Sequence, residues 1–375
     1  MHMSTKTPMK IIISGGGSGG HVFPALAIAD AIRAKAPDVN ILFVGAKGKI
    51  EMEKVPLAGY PIQGLWISGL HRKLTLRNLA FPFKLISSLV KSFGIVRAFK
   101  PDVVIGVGGF ASGPVLQVAS FLGIPTLIQE QNSYPGLTNR LLAKRVSKIC
   151  IAYDRMDRYF PKEKLVMTGN PVRKVFSKEA VDKATAFAHF GLQAGKKTLF
   201  SFGGSLGAQS INEALAANAE LMRKHPDVQL LWQAGKLYYD RFKDSEMAQL
   251  PNVKIRAFID RMDMAYTIAD LVISRAGALT IAELSQVSQP AILIPSPNVA
   301  EDHQTMNVKA LAEKDAAVLL PDPQAKEKVI ARALEVVQDQ SRLAELASNV
   351  HKLAQPNAAD LIAQEVFKLM PEKET

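Results

Sequence analysis

Cysteine is almost absent. Cys150 is the only one, so no disulfide can close within the chain. It lies in an apolar stretch and reads as a small core residue. No apolar run reaches the roughly 18–20 residues of a membrane span. The N-terminus lacks a charged-then-apolar secretory signal, since the apolar run at 11–13 is too short and reads as a strand. These absences predict a cytoplasmic protein. There is no D-x-D carboxylate pair to hold a metal on a nucleotide diphosphate and no Cys/His ligand set, so neither metal nor cofactor is expected. Acidic residues are missing altogether between Lys54 and Lys100, where Arg72, Lys73, Arg77, Lys84, Lys91 and Arg97 remain. That asymmetry dominates a net charge of +12 and predicts an anionic partner.

What is present is glycine, in three clusters that each follow a strand-like run. Ile11-Ile12-Ile13 leads into Gly15-Gly16-Gly17-Ser18-Gly19-Gly20-His21 and then a helical pattern with Pro24 in its first turns. Residues 102–105 lead into Gly106-Val107-Gly108-Gly109-Phe110. Residues 198–202 lead into Gly203-Gly204-Ser205-Leu206-Gly207-Ala208 and another helix. Strand, glycine turn and helix together aim backbone N–H groups and a helix N-terminus at an anion. One such loop is a weak signal; a repeat far along the chain is a stronger one. His21 is the only titratable side chain in the first loop.

Strand-like runs alternate with helical ones throughout. The first half has them at 11–14, 41–44, 103–107, 126–129 and 149–152. The second has them at 198–202, 229–232, 253–256, 271–274, 291–294 and 317–320. Apolar strands separated by helices predict parallel sheets covered on both faces. The fold class is therefore α/β, with two Rossmann-like domains, and 375 residues suit two. The boundary is expected near Gly169-Asn170-Pro171, giving domains at 1–168 and 169–356. A final helix, at 357–372, has Asn357 at its cap. An NAD enzyme would close its second strand with an acidic residue; here 41–44 runs into Gly45-Ala46-Lys47, which disfavours NAD.

Three further stretches sit where strands end. Arg275-Ala276-Gly277-Ala278-Leu279-Thr280-Ile281-Ala282-Glu283 turns from strand to helix, so its N–H groups suit a diphosphate and Glu283 suits ribose hydroxyls. A solvated helix charge is the plainer reading of a lone Glu. Gln304 and Asn307 share a helix face, and amides suit sugar hydroxyls, although capping would also account for them. Asn132, after Glu130-Gln131, lies on the rim of the first sheet. Finally, Leu74, Leu79, Phe81, Phe83 and Leu85 interleave with the basic residues of the acid-free segment. Such a segment can lie on an anionic membrane, or simply cover the sheet with its charged edge solvated. No nucleic-acid motif is present.

The glycine loops, Glu-Gln-Asn at 130–132, Gly-Asn-Pro-Val-Arg at 169–173, Arg-Ala-Gly-Ala-Leu-Thr at 275–280 and Asp-His-Gln at 302–304 occur in one order over nearly the whole chain. This order resembles that of the MurG family, the bacterial peptidoglycan N-acetylglucosaminyltransferases. The resemblance implies a GT-B fold, with the active site between two Rossmann-like domains. It implies a first domain that meets acceptor and membrane, a second that binds the donor, and a C-terminal helix packed back on the first. It implies inverting transfer of GlcNAc from UDP-GlcNAc to undecaprenyl-diphospho-MurNAc-pentapeptide (lipid I) at the cytoplasmic face of the inner membrane, with peripheral attachment. Carried over, the donor site comprises Ser18, Gly19, Gly20, Asn132, Arg173, Ser205, Ile259, Ala278, Leu279, Thr280, Ile281, Ala282, Glu283 and Gln304, and His21 is the candidate base. Membrane contacts would be Arg72, Lys73, Leu74, Arg77, Leu79, Phe81, Phe83, Lys84 and Leu85. The family often has Thr where this chain has Ser18, so the hydroxyl is kept. A transferase or UDP-sugar epimerase acting on a soluble substrate is the alternative.

Overall fold

A computed structural model describes residues 8–69, 80–172, 181–204, 206–299 and 302–370. The chain divides into two compact units, Met1–Arg173 with Gln355–Thr375, and Lys174–Ala354.

The first unit holds β1 (Lys10–Ser14), α1 (Gly19–Lys35), β2 (Asn40–Ala46), α2 (Glu51–Leu57), β3 (Ile62–Leu65), α3 (Phe81–Phe99), β4 (Val103–Gly106), α4 (Ser112–Phe121), β5 (Thr126–Glu130), α5 (Leu137–Leu142), β6 (Lys148–Ile151) and β7 (Leu165–Met167). The strands form one parallel sheet in the order β3-β2-β1-β4-β5-β6-β7. Alternate side chains enter different cores, as the two-residue strand period requires. Ile12, Val104, Ile128 and Ile149 pack with Ile95, Val96, Val115 and Leu116 of α3 and α4. Ile11, Ile13, Val103, Ile105, Leu127 and Cys150 pack on the opposite face with Ile28 and Ile32 of α1. Burial pushes the Cys150 thiol up to about 12, in keeping with an inert core residue.

The second unit holds α6 (Lys183–Phe190), β8 (Lys197–Phe202), α7 (Gln209–Ala216), α8 (Ala219–Arg223), β9 (Val228–Gln233), α9 (Tyr239–Phe242), β10 (Val253–Arg256), α10 (Met262–Ile268), β11 (Leu271–Ser274), α11 (Ala278–Gln286), β12 (Ala291–Leu293), α12 (His303–Ala312), β13 (Val318–Leu319), α13 (Asp322–Gln338) and α14 (Gln340–His351). Its strands are also all parallel, in the order β10-β9-β8-β11-β12-β13. Leu199, Leu230, Trp232, Leu271 and Ile273 bury one face against α7, α13 and α14.

The last described helix, α15 (Ala358–Leu369), belongs to the first unit. Its Ile362, Ala363 and Val366 join the core beneath α1. Asn357 precedes the helix but gives it no side-chain cap.

Both sheets reverse strand order at one place, between β1 and β4 and between β8 and β11. Loops leaving neighbouring strands in opposite directions open a crevice there, at the C-terminal edge of a parallel sheet. The glycine clusters occupy those positions.

Candidate active site

In the first unit the loops after β1 and β4 interlock. Gly108 and Gly109 have φ of +87° and +82°, values that favour glycine. A Cβ on Gly109 would lie 2.2 Å from the Gly16 carbonyl oxygen, and one on Gly108 would lie 2.8 Å from His21 Cε1. The His21 imidazole is thus seated on bare backbone, in the first turn of α1. Ser18 precedes that helix in extended conformation without a side-chain cap. The first amides of a helix have no partner within it, so Ser18, Gly19 and Gly20 lie where an anion is best met.

The Glu-Gln-Asn stretch is built from below. Glu130 is 2% exposed. Its Oε1 accepts from the backbone and side-chain amides of Asn132, at 3.0 and 3.2 Å, and its Oε2 from Gly136 N–H at 3.1 Å and Asn139 Nδ2 at 2.8 Å. Burial raises the carboxyl above its ordinary range, and these hydrogen bonds oppose the rise in part. Gln131 donates to the Val107 carbonyl at 2.9 Å and to the Gln129 side chain. Asn170 donates to the Gln131 carbonyl at 2.9 Å and accepts from Gln129 at 3.0 Å. Gly169-Asn170-Pro171, expected as a boundary turn, therefore also braces the loops after β4 and β5.

In the second unit Gln233, at the end of β9, is the corresponding brace, and no motif in the sequence marks it. Its Nε2 donates to the Gly204 carbonyl at 3.1 Å, and its Oε1 accepts from Ile259 N–H at 2.8 Å. Gly207 and Gly235 pack backbone to backbone: a Cβ on Gly235 would lie 2.2 Å from Gly207 N. Arg275, 15% exposed in its side chain, is a strut. It pairs with Asp322 at 2.5 Å, donates to Ser210 at 2.6 Å, and reaches the Ile294 and Pro295 carbonyls.

Gly277 caps α11 in extended conformation, so the amides of Ala278, Leu279 and Thr280 open the helix. Their side chains are half-buried and Ile281 is buried. Glu283 lies on the second turn, half-buried like Ala282, and accepts from Tyr266 OH at 3.2 Å. Gln304 accepts from Ser296 N–H at 2.8 Å, which presents its Nε2 as the donor end. Asn307, expected beside it, is fully buried. Arg173 and Ser205 lie outside the described residues.

Of the membrane candidates, Arg72, Lys73, Leu74, Arg77 and Leu79 also lie outside the described residues. Leu85 turns inward: with Leu89 it packs on the sheet core, because the helical period puts both on the inner face of α3. The outward stripe is instead Phe83, Ile86, Val90 and Phe93. Phe81 is half-buried at the start of α3. Lys84 and Lys91 flank the helix, donating to Ser68 Oγ at 3.0 Å and the Gly64 carbonyl at 2.8 Å. Among the described residues no helix is long and apolar enough to cross a membrane, and no group of three or more His, Cys, Asp or Glu is placed to hold a metal ion.

Two family models match: the glycosyltransferase family 28 N-terminal domain over residues 11–151, and the glycosyltransferase family 28 C-terminal domain over residues 198–364. The chain belongs to glycosyltransferase family 28. A family 28 protein of Flavobacterium psychrophilum is 52% identical over 96% of this chain and 98% of its own length. One of Cytophaga hutchinsonii is 52% identical over 98% and 99%. Both are named UDP-N-acetylglucosamine--N-acetylmuramyl-(pentapeptide) pyrophosphoryl-undecaprenol N-acetylglucosamine transferase. Among solved structures, MurG of Acinetobacter baumannii superposes with a TM-score of 0.76 at 28% identity, over 96% of this chain and all of the other. A UDP-GlcNAc 2-epimerase from Neisseria meningitidis shares the fold, with a TM-score of 0.66 at 15% identity over 96% of this chain and all of the other.

Proposed function

We propose that this chain transfers GlcNAc from UDP-GlcNAc to the C4 hydroxyl of MurNAc in lipid I, inverting the anomeric configuration and releasing lipid II and UDP. The observation that carries this reading is near-full-length identity of about half to relatives bearing that transferase name. The glycine loops at both strand-order reversals support it.

The acceptor O4 forms the new bond to the anomeric carbon while the bond from that carbon to the β-phosphate oxygen breaks. A neutral imidazole at His21 takes the O4 proton, which is general-base work within the ordinary reach of histidine. UDP leaves with the bonding electrons. Backbone amides at the start of α11 and at Ser18, Gly19 and Gly20 suit the charge that develops on the diphosphate, and fixed dipoles need no reorganisation as the reaction proceeds. Glu283 accepts from the ribose hydroxyls, Gln304 donates to the sugar, and Asn132, Arg173, Ser205 and Ile259 complete the donor site. The first unit brings His21 to the acceptor and adds Ser18, Gly19, Gly20 and Asn132 to the donor site, most of the rest of which the second unit supplies.

The undecaprenyl tail leaves a bilayer only at about 0.8 kcal/mol per CH₂ exposed. The protein must therefore come to the membrane. The outward stripe of α3 with its flanking lysines is suited to an anionic surface, which implies peripheral attachment at the cytoplasmic face of the inner membrane.

The test is UDP release from UDP-GlcNAc with and without a lipid I analogue. Release only with the analogue is expected. Release or 2-epimerisation without it would favour a soluble-substrate enzyme.

A further inference from the structure

Glu51 has no role in the reaction described above, and nothing in the sequence singles it out. It opens α2, yet its side chain is 1% exposed. Its Oε2 accepts from Gly17 N–H at 2.8 Å, inside the first glycine loop, and its Oε1 accepts from Ala46 N–H at 2.9 Å, at the end of β2. Two glycines make room for it. A Cβ on Gly16 would fall 2.1 Å from Oε1, and one on Gly45 would fall 2.5 Å from Cγ. Burying a carboxylate is a costly way to fill space, so the site must gain something an apolar side chain would not give.

What it gains is a fixed loop. Gly16 and Gly17 adopt φ of +145° and +88°, which leaves them with few other restraints. The carboxylate ties Gly17 to β2 from below, while Gly108 and Gly109 confine the same loop and the His21 ring from the side. His21 follows four residues later, and its own N–H bonds back to the Ser18 carbonyl at 3.1 Å. The direction of the loop therefore sets where the imidazole stands.

We propose that Glu51 is a positioning residue for catalysis, acting through the first glycine loop to hold His21 at the acceptor hydroxyl. The inference rests on the reading of His21 as the base. It also means that the Gly17 amide is already spent, so an anion at this loop meets the amides from Ser18 onward.

The experiment is a double-mutant cycle on the full chain with UDP-GlcNAc and a lipid I analogue, using Glu51→Gln, His21→Ala and the pair. Glu51→Gln keeps the shape and one acceptor but turns an N–H₂ toward a backbone N–H. It should lower kcat by roughly 10–100-fold, the scale of a misplaced catalytic group. KM for UDP-GlcNAc should stay within roughly twofold, as for an interaction made only in the transition state. In the His21→Ala background Glu51→Gln should cost nothing more. If the two losses multiply, Glu51 does not act through His21 and the proposal is overturned. If His21→Ala alone retains wild-type kcat, it is the base assignment that fails. Should Glu51→Gln not fold, Glu51→Asp, one methylene shorter with the charge kept, is read in the same cycle and by the same criterion.

Discussion

Glu130 offers the sharpest test of how the first unit is held together. Replacing it with Ala removes the acceptor for four N–H donors. Gly136 is exposed and Asn132 half-buried, so the Gly136 N–H and the Asn132 side chain can turn to water. The loss then rests on Asn132 N–H and on one N–H of the buried Asn139 Nδ2, which keeps its other bond to the Gln129 carbonyl at 3.4 Å. At about 1–3 kcal/mol for each donor left unpaired, the variant should lose about 2–6 kcal/mol. Glu130→Gln should lose less, about 1–3 kcal/mol, because the Asn139 Oδ1, buried with no hydrogen bond, can rotate to accept from the new amide. The sign with pH follows from the raised carboxyl. Above the ordinary value of 4.5 the unfolded chain releases this proton while the folded one still holds it. The contribution of Glu130 is thus fullest below that value and declines as pH rises through the folded value. Urea denaturation of wild type, Glu130→Gln and Glu130→Ala across pH is the assay. The wild-type advantage over Gln should narrow as pH rises. An Ala variant within about 0.5 kcal/mol of wild type, the range of an ordinary surface change, would refute the reasoning.

Glu283→Ala should weaken UDP and UDP-GlcNAc equally, by about 1.5–3 kcal/mol, since ribose is common to both. Gln304→Ala should weaken the sugar nucleotide more than UDP, and calorimetry giving the reverse order would overturn both placements. Replacing Phe83 and Val90 by Ser should reduce sedimentation with anionic vesicles while UDP affinity stays unchanged; wild-type pelleting would leave α3 as a plain cover for the sheet. Ile362→Ala should cost about 2–5 kcal/mol, as for other fully buried aliphatic truncations, and thermal melting checks it.

The central strands were legible because they are buried on both faces and so read as unbroken apolar runs. β3 and β7 carry no such signal. The first carries Gln63 and Gly64 at a sheet edge, and the second is three residues beside a turn signal. The glycine loops were legible because close backbone approach needs glycine whatever the ligand. Their braces were not. Glu51 reads as an ordinary acidic residue in the first turn of a helix. Gln233 and Asn170 are single amides whose partners lie far along the chain. Leu85 reads as a membrane contact in the sequence because hydrophobicity alone does not tell the two sides of a helix apart when both are apolar, yet it packs on the sheet core.

The return of α15 to the first unit has a consequence for biosynthesis. Domains generally fold in the order in which they emerge from the ribosome. Here β1 and α1 emerge first, but the segment that covers Ile28 and Ile32 emerges only after the whole second unit. The second unit can therefore complete its core before the first. Until α15 arrives, the nascent chain carries an uncovered aliphatic face, the kind of surface on which a chaperone acts.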